Sequence, residues 1–392
     1  MTVIIDLDKF RAPTVDLLYE KILNVRGKQD GDRMLTWSMK DEIKPSDFYC
    51  YLFAKFGEPN GMQNILRQDD SNNLVHWEWM LEHSRGLLQI LGLNDRTEVT
   101  FLGRWDIEDL NMDQFIECIK RDFRRYGQEM SRIRKDVLED WERFLNPYYH
   151  LRSSIEKMHD ELQSLSINNE NDYLQDPVVA SQVGAWSENF KNVINRYTQG
   201  YSLATSLRVL IPILAESFVN MLSILLLRPE IKENERLHDD YKRRQIDVKI
   251  QSLHLDCVGF SKGVDWSSEI CRSYNSVINQ RNDILHGNVV WKNLLIGEVF
   301  FNGKVPIFKE YKTFWDVAVT LNLQACGYEE IKPSLEKVFS FIDYVLSCLE
   351  PPVMSSVNRL LQSREFGRNK KTKHLGVLFS DIFVTMHIPS IS

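Results

Sequence analysis

The chain has no close pair of cysteines. Cys50, Cys118, Cys257, Cys271, Cys326 and Cys348 are far apart, with no CxxC spacing and no cluster with histidines. That excludes a structural zinc site and a disulfide scaffold. Positive charge is not in excess either, since the net charge is −7. A chain that grips nucleic acid non-specifically over its whole surface would be basic, so any nucleic-acid contact has to be local. There is no glycine-rich phosphate loop, no HExxH, no GxSxG and no internal repeat, which sets aside the common nucleotide-binding, zinc-protease and serine-hydrolase signatures. The N-terminus carries acids inside its short apolar stretch and does not resemble a signal peptide. Only one long apolar run occurs, Val209 to Leu227, and Glu216, Ser217 and Asn220 interrupt it near its centre. A central glutamate costs ~2.5–3.5 kcal/mol on membrane insertion, so a buried bundle helix of a cytoplasmic protein, with no membrane contact, is the expectation.

What is present is a composition that is 43% hydrophobic and 26% charged over 392 residues, sufficient for two domains with cores of their own. In the N-terminal part, Leu74–Met80, Leu87–Leu93 and Glu98–Leu102 are apolar runs separated by the turn signals Ser84-Arg85-Gly86 and Asn94-Asp95. The pattern predicts an antiparallel meander, preceded by a helix over Ser46–Phe56. Alternation along the first run puts His76 and Glu78 on one face and Trp77 and Trp79 on the other, the pattern of a half-solvated strand. From Met112 to about Ile167 the chain reads as helix with a break at Asn146-Pro147. The cations Lys120, Arg121, Arg124, Arg125, Arg132, Arg134 and Lys135 on this stretch form either a solvated face or an RNA-facing stripe.

Residues 168–177 are polar and form a plausible linker. Four segments of helical periodicity follow, about 201–228, 239–256, 266–286 and 329–349, and such stripes can bury one another as a four-helix bundle. Asn302-Gly303, flanked by apolar runs, marks a two-residue hairpin, and Thr313 is a candidate cap for a short helix over 314–325. The fold class is therefore α+β, mainly α. A mixed N-terminal domain spans 1–175, a helical domain with a hairpin insertion at 287–327 spans 176–350, and 351–392 form a C-terminal appendage.

The residues that carry chemistry lie at 281–288, RNDILHGN. An arginine followed by a histidine after four to six intervening residues is a loose pattern, met also at Arg143/His150, Arg152/His159 and Arg368/His374. Only the pair at 281 and 286 combines an asparagine after the arginine with a helix whose apolar side is evident, through Ile270, Tyr274, Val277, Ile278, Ile284 and Leu285. Arg281 falls near the centre of that stripe. A permanent charge there requires a facing acid or carbonyl, or a cleft. Asn282 and His286 are four apart, so the amide can orient the imidazole. Asp265 with Ser267 or Ser268 can cap the helix start and Gly287 can end it. Positions 281 and 286 differ by roughly 140° around an ideal helix, so either the helix bends or a second chain completes the site.

This motif, within the helical layout from about 200 to 350, resembles the Rx4–6H ribonuclease motif of the HEPN superfamily. The resemblance implies a HEPN-like bundle that cleaves RNA without a metal ion or cofactor, with Arg281, Asn282 and His286 as catalytic residues and Glu216 as possible support. It implies a homodimer with facing motifs. It also implies a toxin or anti-phage abortive-infection role, in which an antitoxin or a phage-derived trigger is a partner. The alternative is a non-catalytic HEPN-like module that binds RNA or a nucleotide, or only dimerises. A third reading is a purely structural helical scaffold, which an Arg281 tied to an internal carboxylate would favour.

Overall fold

The computed structural model describes residues 5–13, 33–62, 74–168, 171–175, 177–286, 298–310, 315 and 319–379. The fold is mainly α, with a mixed N-terminal part. The chain forms two compact units, one made of residues 1–144 and 365–392 and the other of 145–364. The boundary expected near 175 thus lies at 144/145, and the expected C-terminal appendage is shared between the units.

In the first unit, β1 (Arg33–Met39), β2 (Trp77–His83), β3 (Gly86–Gly92) and β4 (Thr97–Gly103) form an antiparallel sheet in the order β1-β4-β3-β2. The meander follows from its turns, while β1 pairs on the far side of β4, with Leu35 opposite Phe101 and Trp37 opposite Val99. Period-two alternation sends Trp79 and Leu81, Leu88 and Ile90, and Val99 and Phe101 to one face. Helices α1 (Pro45–Phe56) and α2 (Met112–Asp136) contribute Phe48, Tyr51, Phe115 and Ile119 to the same core. Each such side chain contributes roughly 1.5–3 kcal/mol by leaving water.

The other face of β2 is not solvated. Met80 N donates to Asn60 Oδ1, Asn60 Nδ2 donates to Met80 O, and Gly61 N donates to Glu78 O, so the chain after α1 covers this edge strand. Glu78 is consequently buried and accepts from Gln89 Nε2 at 2.6 Å. The half-solvated expectation failed because alternation reports two faces but not what a distant loop lays over one of them.

A second sheet in this unit, ordered β5-β8-β9, joins β5 (Trp141–Leu145) to β8 (Glu365–Asn369) and β9 (Leu375–Gly376). The basic stretch near the C-terminus is ion-paired across it. Arg368 bonds Glu142, Lys370 bonds Asp140, and Glu365 accepts from Arg143.

In the second unit, α3 (Pro147–Ser164) starts at the expected break, which is wider than the sequence predicts because β5 lies between α2 and α3. Pro147 lacks only an N–H that the first turn leaves unused, and Asn146 caps the helix through Tyr149 N. The long α4 (Val183–Leu226) packs against α3, α7 (Glu269–Leu285) and α8 (Ile331–Leu346), and α7 packs against α8. The fourth bundle helix is thus α3 and not the 239–256 segment. That segment breaks at the extended residues Arg244 and Gln245 into α5 (Glu235–Arg243) and α6 (Ile246–Asp256). The span ending in α4 is long and apolar enough to cross a membrane by length and composition, but Leu207, Ile211, Leu214, Phe218 and Leu222 are fully buried within the unit. Tyr274 of α7 stacks on Phe341 of α8 at 4.1 Å.

Strands β6 (Val299–Asn302) and β7 (Val305–Phe308) form the expected hairpin. Its two-residue turn is Gly303-Lys304, one residue later than the expected Asn302-Gly303, and Gly303 takes a φ of 64°. Helix α9 (Pro351–Leu361) completes the unit. Gly287 and the cap expected at Thr313 lie outside the described residues.

Candidate functional site

Helix α7 begins where Ser268 Oγ accepts from Cys271 N, and Asp265 bonds Ser267 just before it. Its buried stripe runs Cys271, Tyr274, Val277 and Ile278, then continues to Arg281 at the spacing of a helix face. Ile270 and Leu285, expected in the stripe, are 36% and 56% exposed, so the covered face is turned towards Cys271.

Arg281 is only 14% exposed and is tied to Glu216 of α4, Nη1 to Oε1 at 2.5 Å. Asn282 Oδ1 accepts from its Nε at 3.3 Å and its Nη2 at 3.1 Å. The guanidinium therefore has an acceptor on every one of its nitrogens. This corrects the expected role of Asn282: its amide oxygen orients Arg281, and its link to His286 is through the backbone, His286 N to Asn282 O at 2.9 Å. A side-chain oxygen one residue away from a guanidinium wins over an imidazole one turn on, because the charged donor makes the stronger bond. His286 is the exposed C-cap of α7, and its imidazole has no hydrogen-bond partner among the described residues.

Two further groups border the pair. Tyr274 is fully buried, and its hydroxyl has no hydrogen-bond partner among the described residues. Burial, then the Glu216 charge, push its pKa up, with Arg281 opposing. Lys249 of α6 is also buried, and its ammonium donates to Asn220 Oδ1 at 3.3 Å and to Lys242 O at 3.0 Å, near the end of α5. Burial and Arg244 hold its pKa below the ordinary lysine range, and Glu216 counteracts them. Sequence reasoning passed over Lys249, although a lysine beside Ile250 and Leu253 on a buried face was a usable signal. Glu216 and Asn220 are one turn apart on α4, so the arrangement is a polar layer across apolar helices.

Elsewhere, the cations of α2 are partly engaged: Arg125 bonds Asp8 and Asp122, Arg132 bonds Glu129, and Arg134 bonds Asp47. Among the described residues no group of three or more His, Cys, Asp or Glu is arranged to hold a metal ion. No family model, no curated protein and no solved structure matches the chain.

Proposed function

We propose that the helical unit is a metal-independent endoribonuclease of the HEPN type, acting as a homodimer in the cytoplasm in a toxin or abortive-infection role. The observation that carries this reading is the polar layer of Arg281, Asn282 and Glu216 on otherwise apolar helices, ending at an exposed and uncommitted His286. In the reaction, His286 takes the proton from an RNA 2′-hydroxyl as that oxygen attacks the adjacent phosphorus. The bond to the 5′-oxygen breaks and that oxygen takes a proton from the imidazolium so formed, leaving a 2′,3′-cyclic phosphate, a 5′-hydroxyl and a neutral His286. Arg281 neutralises the phosphorane-like transition state through its planar donors. To do so it exchanges Glu216 for the phosphate, so Glu216 acts as a resting partner. Glu216→Gln is accordingly expected to bind RNA several-fold more tightly than wild type.

A second reading is favoured by the full engagement of Arg281. In it the Arg281–Glu216 pair is structural, the unit is a helical scaffold, and it does not cut RNA. The test is incubation of a mixed tRNA, rRNA and mRNA pool in EDTA with wild type, Arg281→Ala and His286→Ala, followed by end-group analysis. Cyclic-phosphate ends that disappear in both variants support the nuclease. RNA left intact by wild type, or cut equally by the variants, supports the second reading.

A further inference from the structure

Between the N-terminal turn of the first unit, the C-terminal end of α1 and the first half of α2 lies an open cavity of about 430 Å³. Its polar groups can be divided into those already committed and those still available. Lys55, whose side chain is 5% exposed, donates to Asp8 Oδ1 at 2.6 Å and to Asp122 Oδ2 at 2.5 Å. Tyr51 also donates to Asp122 Oδ2, at 2.7 Å. Arg125 Nη1 reaches the remaining carboxylate oxygens, Asp8 Oδ2 at 2.9 Å and Asp122 Oδ1 at 3.2 Å. Both aspartates are thus engaged at both oxygens. The strong donors hold Asp8 down at about 2, and they also keep Asp122 below the usual carboxylate range against the effect of its burial.

The unspent capacity is almost all donor. Arg125 commits one of its three nitrogens, and its Nε and Nη2 have no hydrogen-bond partner among the described residues. Arg121, one turn before it on α2, lines the same cavity and has no partner among the described residues. At the rim Lys9 is balanced by Asp6 at 3.7 Å. The lining cations Lys9, Lys55, Arg121 and Arg125 outnumber the acids Asp6, Asp8 and Asp122 by one, on a chain whose net charge is −7.

We infer that this cavity binds a small phosphorylated ligand, with the Arg121 and Arg125 guanidiniums as its anchors and the Tyr51–Asp122–Lys55–Asp8 network as the rigid floor that fixes Arg125. Two guanidiniums at i and i+4 stand about 5–6 Å apart at their Cβ atoms, a spacing that suits a group with several oxygens, such as a diphosphate. The volume lies within the range of small-molecule sites, roughly 300–1,000 Å³. This inference does not depend on the reading of Arg281.

The experiment is calorimetric titration of the full-length chain with inorganic pyrophosphate and with 5′-AMP, against sodium chloride at matched ionic strength. Wild type is expected to bind one equivalent of at least one probe. Arg121→Gln, which breaks no bond among the described residues and is expected to melt at the wild-type temperature, should bind at least tenfold more weakly, and Arg125→Gln likewise. Absence of binding to wild type, equal binding by Arg121→Gln, or binding of RNA oligomers with none of either probe would overturn it.

Discussion

Arg281 is always charged, so its partial burial has to be compensated, and Glu216 on an apolar helix is the acid that does so. Removing one partner leaves the other uncompensated. Because both are partly solvated, Arg281→Ala is expected to cost about 2 kcal/mol. The Arg281→Ala/Glu216→Ala double variant is expected to cost less than the sum of the single changes, measured by urea unfolding. His83 gives a pH prediction of a different kind. It lies against Phe10 at 4.9 Å and Trp105 at 5.0 Å, and its Nδ1 accepts from Arg85 N, so the neutral form is the one bound. Burial first, then Arg85 and Lys9, hold its pKa below the ordinary value. The unfolded chain therefore binds more protons in the window between the depressed pKa and about 6.5, and stability rises with pH across it. Acidification from pH 7.5 into that window should lower the unfolding midpoint of wild type, and His83→Gln should flatten the slope. A slope unchanged in the variant would assign the effect to other groups.

At the level of elements, what the sequence made legible was whatever local rules decide. The meander, α1, the start of α7 and the hairpin followed from alternation, caps and turn residues, because those signals lie within a few residues of the structure they specify. What was missed depended on distant partners. Strand β1 was not anticipated because its pairing to β4 joins residues some sixty positions apart, as Trp37 and Val99 illustrate. Asp122, an acid on the apolar face of α2, carried a readable signal, but Lys55 and Tyr51 could be joined to it only by the fold. In the candidate site the positions of Arg281 and Asn282 on α7 were legible, whereas the choice of Asn282 to bond Arg281 was a competition that spacing does not decide. Asn146 shows the same local and distant division in one residue. It caps α3 through its Oδ1, and its Nδ2 donates to the carbonyls of Leu360, Leu361 and Ser363 at 3.0, 3.2 and 2.8 Å. Asn146→Ala removes a helix cap and takes this donor from three partly or fully buried carbonyls, so a loss of about 2–4 kcal/mol in unfolding free energy is expected. A loss under about 1 kcal/mol would mean that water replaces the amide.

At the level of the whole molecule, the helical unit is inserted into the first one between β5 and β8. Its two ends meet, with Asn146 N donating to Arg364 O at 3.0 Å. A segment whose ends are already together and whose core is its own should fold alone. Residues 145–364 expressed separately are expected to unfold in a single cooperative transition, and a molten product in circular dichroism would contradict that division. The nuclease reading also belongs to this scale, because positions 281 and 286 are roughly 140° apart around an ideal helix and are proposed to act across a dimer. The most direct measurement is RNA cleavage by a mixture of Arg281→Ala and His286→Ala chains, each inactive alone, after subunit exchange. If the arginine of one chain serves the histidine of its partner, the mixture regains cleavage with 2′,3′-cyclic phosphate ends, since each mixed dimer holds one intact pair. RNA left intact by the mixture while wild type cleaves it would contradict the shared site, and RNA left intact by wild type as well would contradict the nuclease.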